Sequence, residues 1–190
     1  MINDKKEQIR RSAVEVISEH GYYNTSISQI AKQAGVAVGT IYNYFDCKEE
    51  ILEYIFAVEL EKRINFLEKL QQKNLDIWDK VDNFLKMHFS EVQKNIAAAK
   101  ISIREKEFPR SAYSSSIAEY RSLIPEHIEE LVSDAVERGE IKDFNPEIVS
   151  NLIFGALQGI VERAIKDNNI SLLKEAPEVI ISILREGLSR

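Results

Sequence analysis

The sequence predicts an all-α chain of about nine helices, a short three-helix segment at the N-terminus followed by a longer helical remainder. Three observations carry that expectation. Apolar residues recur at spacings of three and four along nearly the whole chain. Only seven Gly and four Pro interrupt 190 residues. No run alternates apolar and polar residues between turn formers, as a half-buried strand would.

The first helix is expected over 4–20. Asp4 stands at its N-cap with Glu7 three residues on, and Ile9, Ala13, Val16 and Ile17 form one stripe before Gly21 stops it. The second runs over 26–34, opened by Ser26 with Gln29 in a capping-box spacing, buried through Ile27, Ile30, Ala31 and Ala34, and ended by Gly35. A third, short helix follows over 38–45. A fourth, long one runs over 48–73 after the break at Asp46-Cys47. Asn74 or Asp76 opens the next, through Trp78, Val81, Phe84, Leu85, His88 and Val92. Another is expected over 96–106. Phe108-Pro109-Arg110 and the serines after it form the least helical stretch, expected as a mobile loop. A helix over 115–138 should be kinked or split by Pro125 and stopped by Gly139. Asn145-Pro146 supplies an N-cap and first-turn proline for a helix to 166, and the last helix is expected over 176–188, with Pro177 in its first turn.

Composition narrows the function classes. Hydrophobic residues are 44% and charged residues 29%, as in ordinary globular proteins. Nothing resembles an apolar leader or a continuous apolar span, so a cytoplasmic location is expected. Cys47 is the single cysteine, which excludes an intrachain disulfide and a cysteine-based zinc site. Were it reactive, its place before a helix would be the reason, but a plain turn residue is the expectation. His20, His88 and His127 have no partners at metal-ligand spacing, so satisfied or exposed histidines are expected. No Ser-His-Asp, Cys-His or glycine-rich phosphate motif appears, which points away from an enzyme and from any cofactor. The net charge is −6, yet residues 1–48 hold six basic and five acidic side chains while the rest hold nineteen and twenty-six. Only the N-terminal part is a plausible face for a polyanion.

The most informative segment is TSISQIAKQAGVAVGTIYNYFDCK, residues 25–48. It reads as two short helices joined at Gly35, where a missing side chain permits positive φ and a steep crossing. Gly39 leaves bare backbone on the second of them. Thr40 offers a hydroxyl and a methyl, which suit phosphate and thymine. Ile41 and Phe45, four apart, are the natural buried pair. Tyr42 and Tyr44 are two apart and cannot share a face, so at least one must point out. Ser26, Ser28 and Lys48 sit at helix starts, where hydroxyls, an ammonium and backbone amides can meet phosphate.

Gly21-Tyr22, Thr25-Ser26, Ile30-Ala31, Ala34-Gly35-Val36, Gly39-Thr40-Ile41-Tyr42, Tyr44-Phe45 and Lys48-Glu49-Glu50-Ile51-Leu52 occur in order and without gaps. In these residues the chain resembles the tetracycline-repressor (TetR) family of bacterial regulators. The resemblance implies a homodimeric, sequence-specific DNA-binding repressor, with a helix-turn-helix domain at 1–47 and a helical ligand-binding and dimerisation domain at 48–190. It implies release from double-stranded operator DNA when a small molecule binds the second domain. Carried over by position, Val38, Gly39, Thr40 and Asn43 would face bases, and Ser26, Tyr42, Tyr44 and Lys48 would hold phosphates. Ala37 stands where the family often has Ser, so the recognition helix lacks a side-chain cap, a change that typically costs about 1 kcal/mol.

In the remainder, Gly155 and Gly159 are four apart and share a helix face on which another helix can approach closely. That face, with Phe154 and Gln158 and with Ile180, Ile183 and Leu184 of the last helix, is assigned to the dimer interface. A close contact within one subunit is the alternative. The family precedent puts an effector among the central helices, with Phe84, His88, Ile101, Phe108 and Tyr120 as lining candidates. Met87, Phe89, Ile103, Tyr113 and Leu123 are further ones, most of them ordinary core. Ile101-Ser102-Ile103-Arg104-Glu105, Gly139-Glu140-Ile141-Lys142 and Ile153-Phe154-Gly155 are similar to the fatty-acid-degradation regulators within the family. That likeness implies a long-chain acyl-CoA effector, its phosphates met by Arg104 or Arg121. A neighbouring carboxylate such as Glu107 is the simpler partner for Arg104. Two alternatives remain: a regulator that activates or organises DNA without an effector, and an all-helical lyase or hydrolase with a buried carboxylate.

Overall fold

The computed structural model describes residues 2–104 and 115–189, and side chains within 4–104 and 122–189. Among them are nine helices and no strand: α1 (Ile2–His20), α2 (Ile27–Ala34), α3 (Val38–Tyr42), α4 (Lys48–Gln71), α5 (Ile77–Lys94), α6 (Ile96–Ile103), α7 (Ser115–Glu137), α8 (Pro146–Lys166) and α9 (Leu172–Leu188). The expected loop around Phe108 lies outside the described residues.

Backbone contacts gather the chain into two units, Met1–Leu60 with Ile96–Tyr120, and Glu61–Asn95 with Arg121–Arg190. This differs from a cut at 47/48 for a packing reason. Ala98 and Ile101 of α6 are buried in one core with Ile9, Ala13 and Ile17 of α1, Ile30 of α2, Ile41 of α3 and Ile51, Leu52 and Ile55 of α4. The first unit thus holds its three short helices together on pieces from two later ones.

Local chemistry sets the helix ends. Ser26 caps α2: its Oγ accepts from Gln29 N at 3.2 Å while Gln29 Oε1 accepts from Ser26 N at 2.7 Å, a complete capping box. At the other end Gly35 sits at φ 63°, its left-handed backbone letting Val36 N donate to Ala31 O at 3.0 Å. Gln8 of α1 donates to Ala34 O at 2.7 Å, so another loose carbonyl of α2 is taken by its neighbour. The third helix is shorter than expected. It ends at Tyr42, with Tyr44 and Phe45 in the turn that follows, though Phe45 N still reaches Ile41 O at 3.0 Å.

In the second unit α9 packs along α5, and α8 touches both. Asp76 caps α5, and Glu140 of the segment after α7 accepts from Ile77 N at 2.8 Å. Lys80 is buried on α5 and reaches back to Gln71 O, the last residue of α4, at 3.4 Å. Pro125 does not split α7, which runs on through it to Glu137. The last helix starts at Leu172, four residues before the predicted start, which places Pro177 in its second turn. A proline there has no N–H for the carbonyl four residues back. That carbonyl, on Leu173, instead accepts from Gln93 Nε2 of α5 at 3.2 Å.

Candidate nucleic-acid interface and effector-domain core

With Ile30, Ala31 and Ala34 buried on α2 and Ile41 and Phe45 buried on and just after α3, the opposite faces of both helices are left to solvent. On α3 that outer face carries Val38, Gly39, Tyr42 and Asn43, at i, i+1, i+4 and i+5. Tyr42 is 52% exposed and Val38 39%. Thr40 is half-buried beside them, and Ser26 and Ser28 are exposed at the start of α2. Tyr44 turns the other way and packs on the core, which resolves the pair of phenols. As expected, Ala37 makes no side-chain cap at the start of α3, whose first bond is Thr40 N to Ala37 O at 2.9 Å.

One signal was present in the sequence and went unread. Residues 20–45 contain no Asp or Glu, although 31 of the 190 residues are acidic. Every charged side chain in that window is therefore basic or a histidine. Tyr23, 65% exposed in the connection between α1 and α2, belongs to the same acid-free stretch and was not among the residues singled out.

Lys48 is not a freely waving cation. Its Nζ donates to Tyr22 O and to Thr25 O, both at 2.7 Å, and lies 4.2 Å from the Tyr22 ring centroid. It pins the α1–α2 connection to the start of α4. Burial pushes its pKa down, opposed by the adjacent Glu49. Glu49 accepts from Tyr22 Oη at 2.7 Å, and that bond holds its carboxyl below the usual range. The Tyr22 hydroxyl is pushed up, first by burial and then by Glu49. Burial also raises the Cys47 thiol, as expected of a plain turn residue rather than a reactive one.

The effector candidates separate. Phe84 and His88 are buried together on α5 in the second unit, their rings 6.1 Å apart, with the Phe89 ring 5.3 Å from that of His88. Ile101 is in the core of the first unit instead, because α6 packs on α1. Arg104 is exposed just past the end of α6. Phe108 lies outside the described residues, as do Tyr113, Glu107 and the side chains of Tyr120 and Arg121. His88 is neither exposed nor fully satisfied, in contrast to the expectation for the histidines. Arg63 Nε donates to its Nδ1 at 3.3 Å, and its buried Nε2 has no partner among the described residues. Burial first, and the Arg63 charge second, hold its pKa well below 6.5. Among the described residues no cluster of His, Cys, Asp or Glu is arranged to hold a metal ion.

The α8–α9 surface carries an exposed apolar stripe. Ile148 and Leu152 on α8 are 60% and 64% exposed, and Val179 and Ile183 on α9 are 54% and 65% exposed. A side chain built at Gly155 or Gly159 would meet nothing within 4 Å, so no contact among the described residues requires these glycines. Gln158 is exposed between them and Leu184 is half-buried. Phe154 and Ile180 differ from the assigned interface, since both face inward, 7% and 8% exposed. By length and composition alone α8 would also pass as a membrane-crossing helix, a consequence of this apolar stripe added to its buried one.

Comparison with known proteins bears on both halves. Residues 9–55 match the model of the bacterial regulatory proteins of the tetR family, and residues 74–162 match the tetracyclin repressor-like C-terminal domain. The chain is 28% identical over 189 residues to the fatty acid metabolism regulator protein of Bacillus subtilis, covering 97% of this chain and 95% of that one. Its fold matches the crystal structure of FadR from Bacillus subtilis in complex with stearoyl-CoA, with a TM-score of 0.80 at 28% identity, over 93% of this chain and 97% of that one. It also matches the fatty acid degradation regulator FadR of Bacillus halodurans, with a TM-score of 0.83 at 28% identity, over 98% and 97% of the two chains. An exposed, acid-free third helix after a tight glycine turn, an all-helical remainder and matches to both halves lead to one conclusion: the chain belongs to the TetR family of bacterial transcription regulators.

Proposed function

We propose that this regulator binds double-stranded operator DNA as a homodimer in the cytoplasm and that a long-chain acyl effector, such as an acyl-CoA, releases it. The observation that carries the DNA reading is the outward face of α3, where Val38, Gly39, Tyr42 and Asn43 stand clear of a core closed by Ile41 and Phe45. Val38, Gly39, Thr40 and Asn43 meet base edges, while Ser26, Ser28, Tyr42 and Lys48 meet phosphates. Hydrogen-bond donors on this face are few, so phosphate contacts supply much of the affinity, and thymine methyls and groove shape supply much of the specificity. Residues 1–47, with Lys48 at the start of α4, do this work, and the rest of 48–190 holds the effector and the second copy. The exposed stripe of Ile148, Leu152, Gly155, Gly159, Val179 and Ile183 supports the homodimer. The acyl effector is supported by the likeness to the FadR proteins and by the aromatic surroundings of His88.

The experiment is selection of duplexes from a random pool, followed by a binding titration with and without stearoyl-CoA. The expected site is a palindrome whose half-sites lie one helical turn apart or a multiple of it, roughly 34–36 Å per turn. Stearoyl-CoA is expected to weaken binding about tenfold or more, as an effector with differential affinity for the two forms must. Recovery of no preferred duplex would remove the DNA reading. Equal affinity with and without stearoyl-CoA would remove the acyl effector alone.

A further inference from the structure

The second unit contains a buried polar pair that folding leaves half-finished. His88 lies on α5 and is 5% exposed, and Arg63, also 5% exposed, lies on the part of α4 that belongs to the same unit. A guanidinium only donates, so the Nδ1 that receives Arg63 Nε at 3.3 Å must present a lone pair. The ring proton is thereby assigned to Nε2. That N–H is buried and has no acceptor among the described residues. An unmet buried donor costs free energy, so one that a fold retains calls for an explanation.

The surroundings say what kind of group completes it. Phe84 and Phe89 flank the ring at 6.1 and 5.3 Å, so whatever arrives is mostly apolar. The open group is a donor, so the arriving atom is an acceptor. The adjacent guanidinium opposes a cation and favours an oxygen bearing partial or full negative charge. A ligand that is apolar along its length and carries an acceptor oxygen at its head fits all three requirements.

We propose that His88 is the polar anchor of the effector, its Nε2–H donating to the carbonyl or carboxylate oxygen of an acyl chain while Arg63 fixes the ring. This rests on the acyl-effector reading above and adds to it the atom that recognises the head of the chain. The neutral state imposed on the imidazole by burial agrees with a ring that donates through one nitrogen and accepts through the other.

The test titrates the full-length protein with stearate and with stearoyl-CoA, each labelled with ¹³C at the carbonyl carbon, and records heat and infrared spectra. The two probes separate a free acid from a thioester as the source of the oxygen. In the parent protein the bound carbonyl stretch is expected below its position in hydrocarbon solvent, a readout that needs no variant. His88→Gln keeps an acceptor for Arg63 and a donor for the ligand, and is expected to bind within a few-fold of the parent. His88→Leu is expected to bind about tenfold or more weakly, the loss of a hydrogen bond near a charge, with the stretch shifted back toward its hydrocarbon position. A hydrocarbon-like stretch in the parent, or parent-like affinity in a folded His88→Leu protein, overturns the anchor and leaves the effector reading standing. If the parent binds neither probe, the acyl reading fails and the anchor fails with it.

Discussion

Glu7 on α1 holds two arginines at once. Arg10 donates to it through Nε at 2.7 Å and through a terminal nitrogen at 2.8 Å, and Arg11 donates at 2.9 Å. Arg10 is buried, with Glu59 of α4 4.0 Å away as its other acidic neighbour. The Arg10 hydrogen bond is the main cause of a Glu7 pKa lowered from the usual 4.5 to about 2, with Arg11 adding to it. A depressed carboxylate pKa stabilises the fold above the unfolded value and loses that contribution as pH falls. The window therefore runs from about pH 4.5 down to about 2. Glu7→Gln is expected to lower stability at neutral pH by about 1–2 kcal/mol, discounted for the partial exposure of Glu7. Its chemical-denaturation curves should also be less sensitive to pH across that window than those of the parent. The sequence showed Glu7 only as the third residue of a possible capping box. Its pairing with arginines three and four residues on was equally readable from helical spacing, whereas the burial of Arg10 depends on α4 and was not.

At the scale of elements, several starts and stops written in short-range chemistry were legible, although the cap expected at Asp4 was not, since α1 already begins at Ile2. The capping box at Ser26, the left-handed Gly35 and the Asn145-Pro146 opening of α8 appear where the residues put them. What could not be read were the ends decided by another helix. Pro177 suggested a first turn because a proline usually sits where its missing N–H is harmless. Here α9 begins earlier, and the carbonyl of Leu173 left over by Pro177 is met by Gln93 from α5. A contact between residues 80 apart in the chain leaves no local trace. Gln93→Leu is expected to cost about 1 kcal/mol by stranding that carbonyl. Urea titration of the variant against the parent measures it, and an unchanged midpoint would remove Gln93 from the account of α9. The brevity of α3 has a similar origin: Tyr44 and Phe45 are drawn onto the core instead of continuing the helix.

At the scale of the whole molecule, the family and the outward face of α3 were readable from residues 21–52, because that motif is short and ordered. The effector region was read less well. Its candidates came from one stretch of sequence, but the chain sends α5 to one compact unit and α6 to the other, so Phe84 and Ile101 serve different cores. The interface candidates divide by exposure. Gly155 and Gly159 lie on the exposed face of α8, while Phe154 and Ile180, included for their apolarity, turn inward. Residues whose apolarity the subunit itself leaves unused are better guides, and these are Leu152 and Ile183. A Leu152→Glu, Ile183→Glu double variant is expected to remain helical and to sediment as a monomer, with weaker operator binding. If sedimentation equilibrium returned a dimer for that variant, the α8–α9 stripe would not be the dimer surface.

Lys48 shows what prior immobilisation does for recognition. A lysine left loose on a surface loses up to about 2 kcal/mol of rotamer freedom when an anion finally holds it. In this protein two backbone carbonyls and an aromatic ring have already stilled that side chain during folding. On the proposed reading, a phosphate arriving there would meet a charge whose position is settled in advance, its attraction not offset by freezing a long, mobile arm.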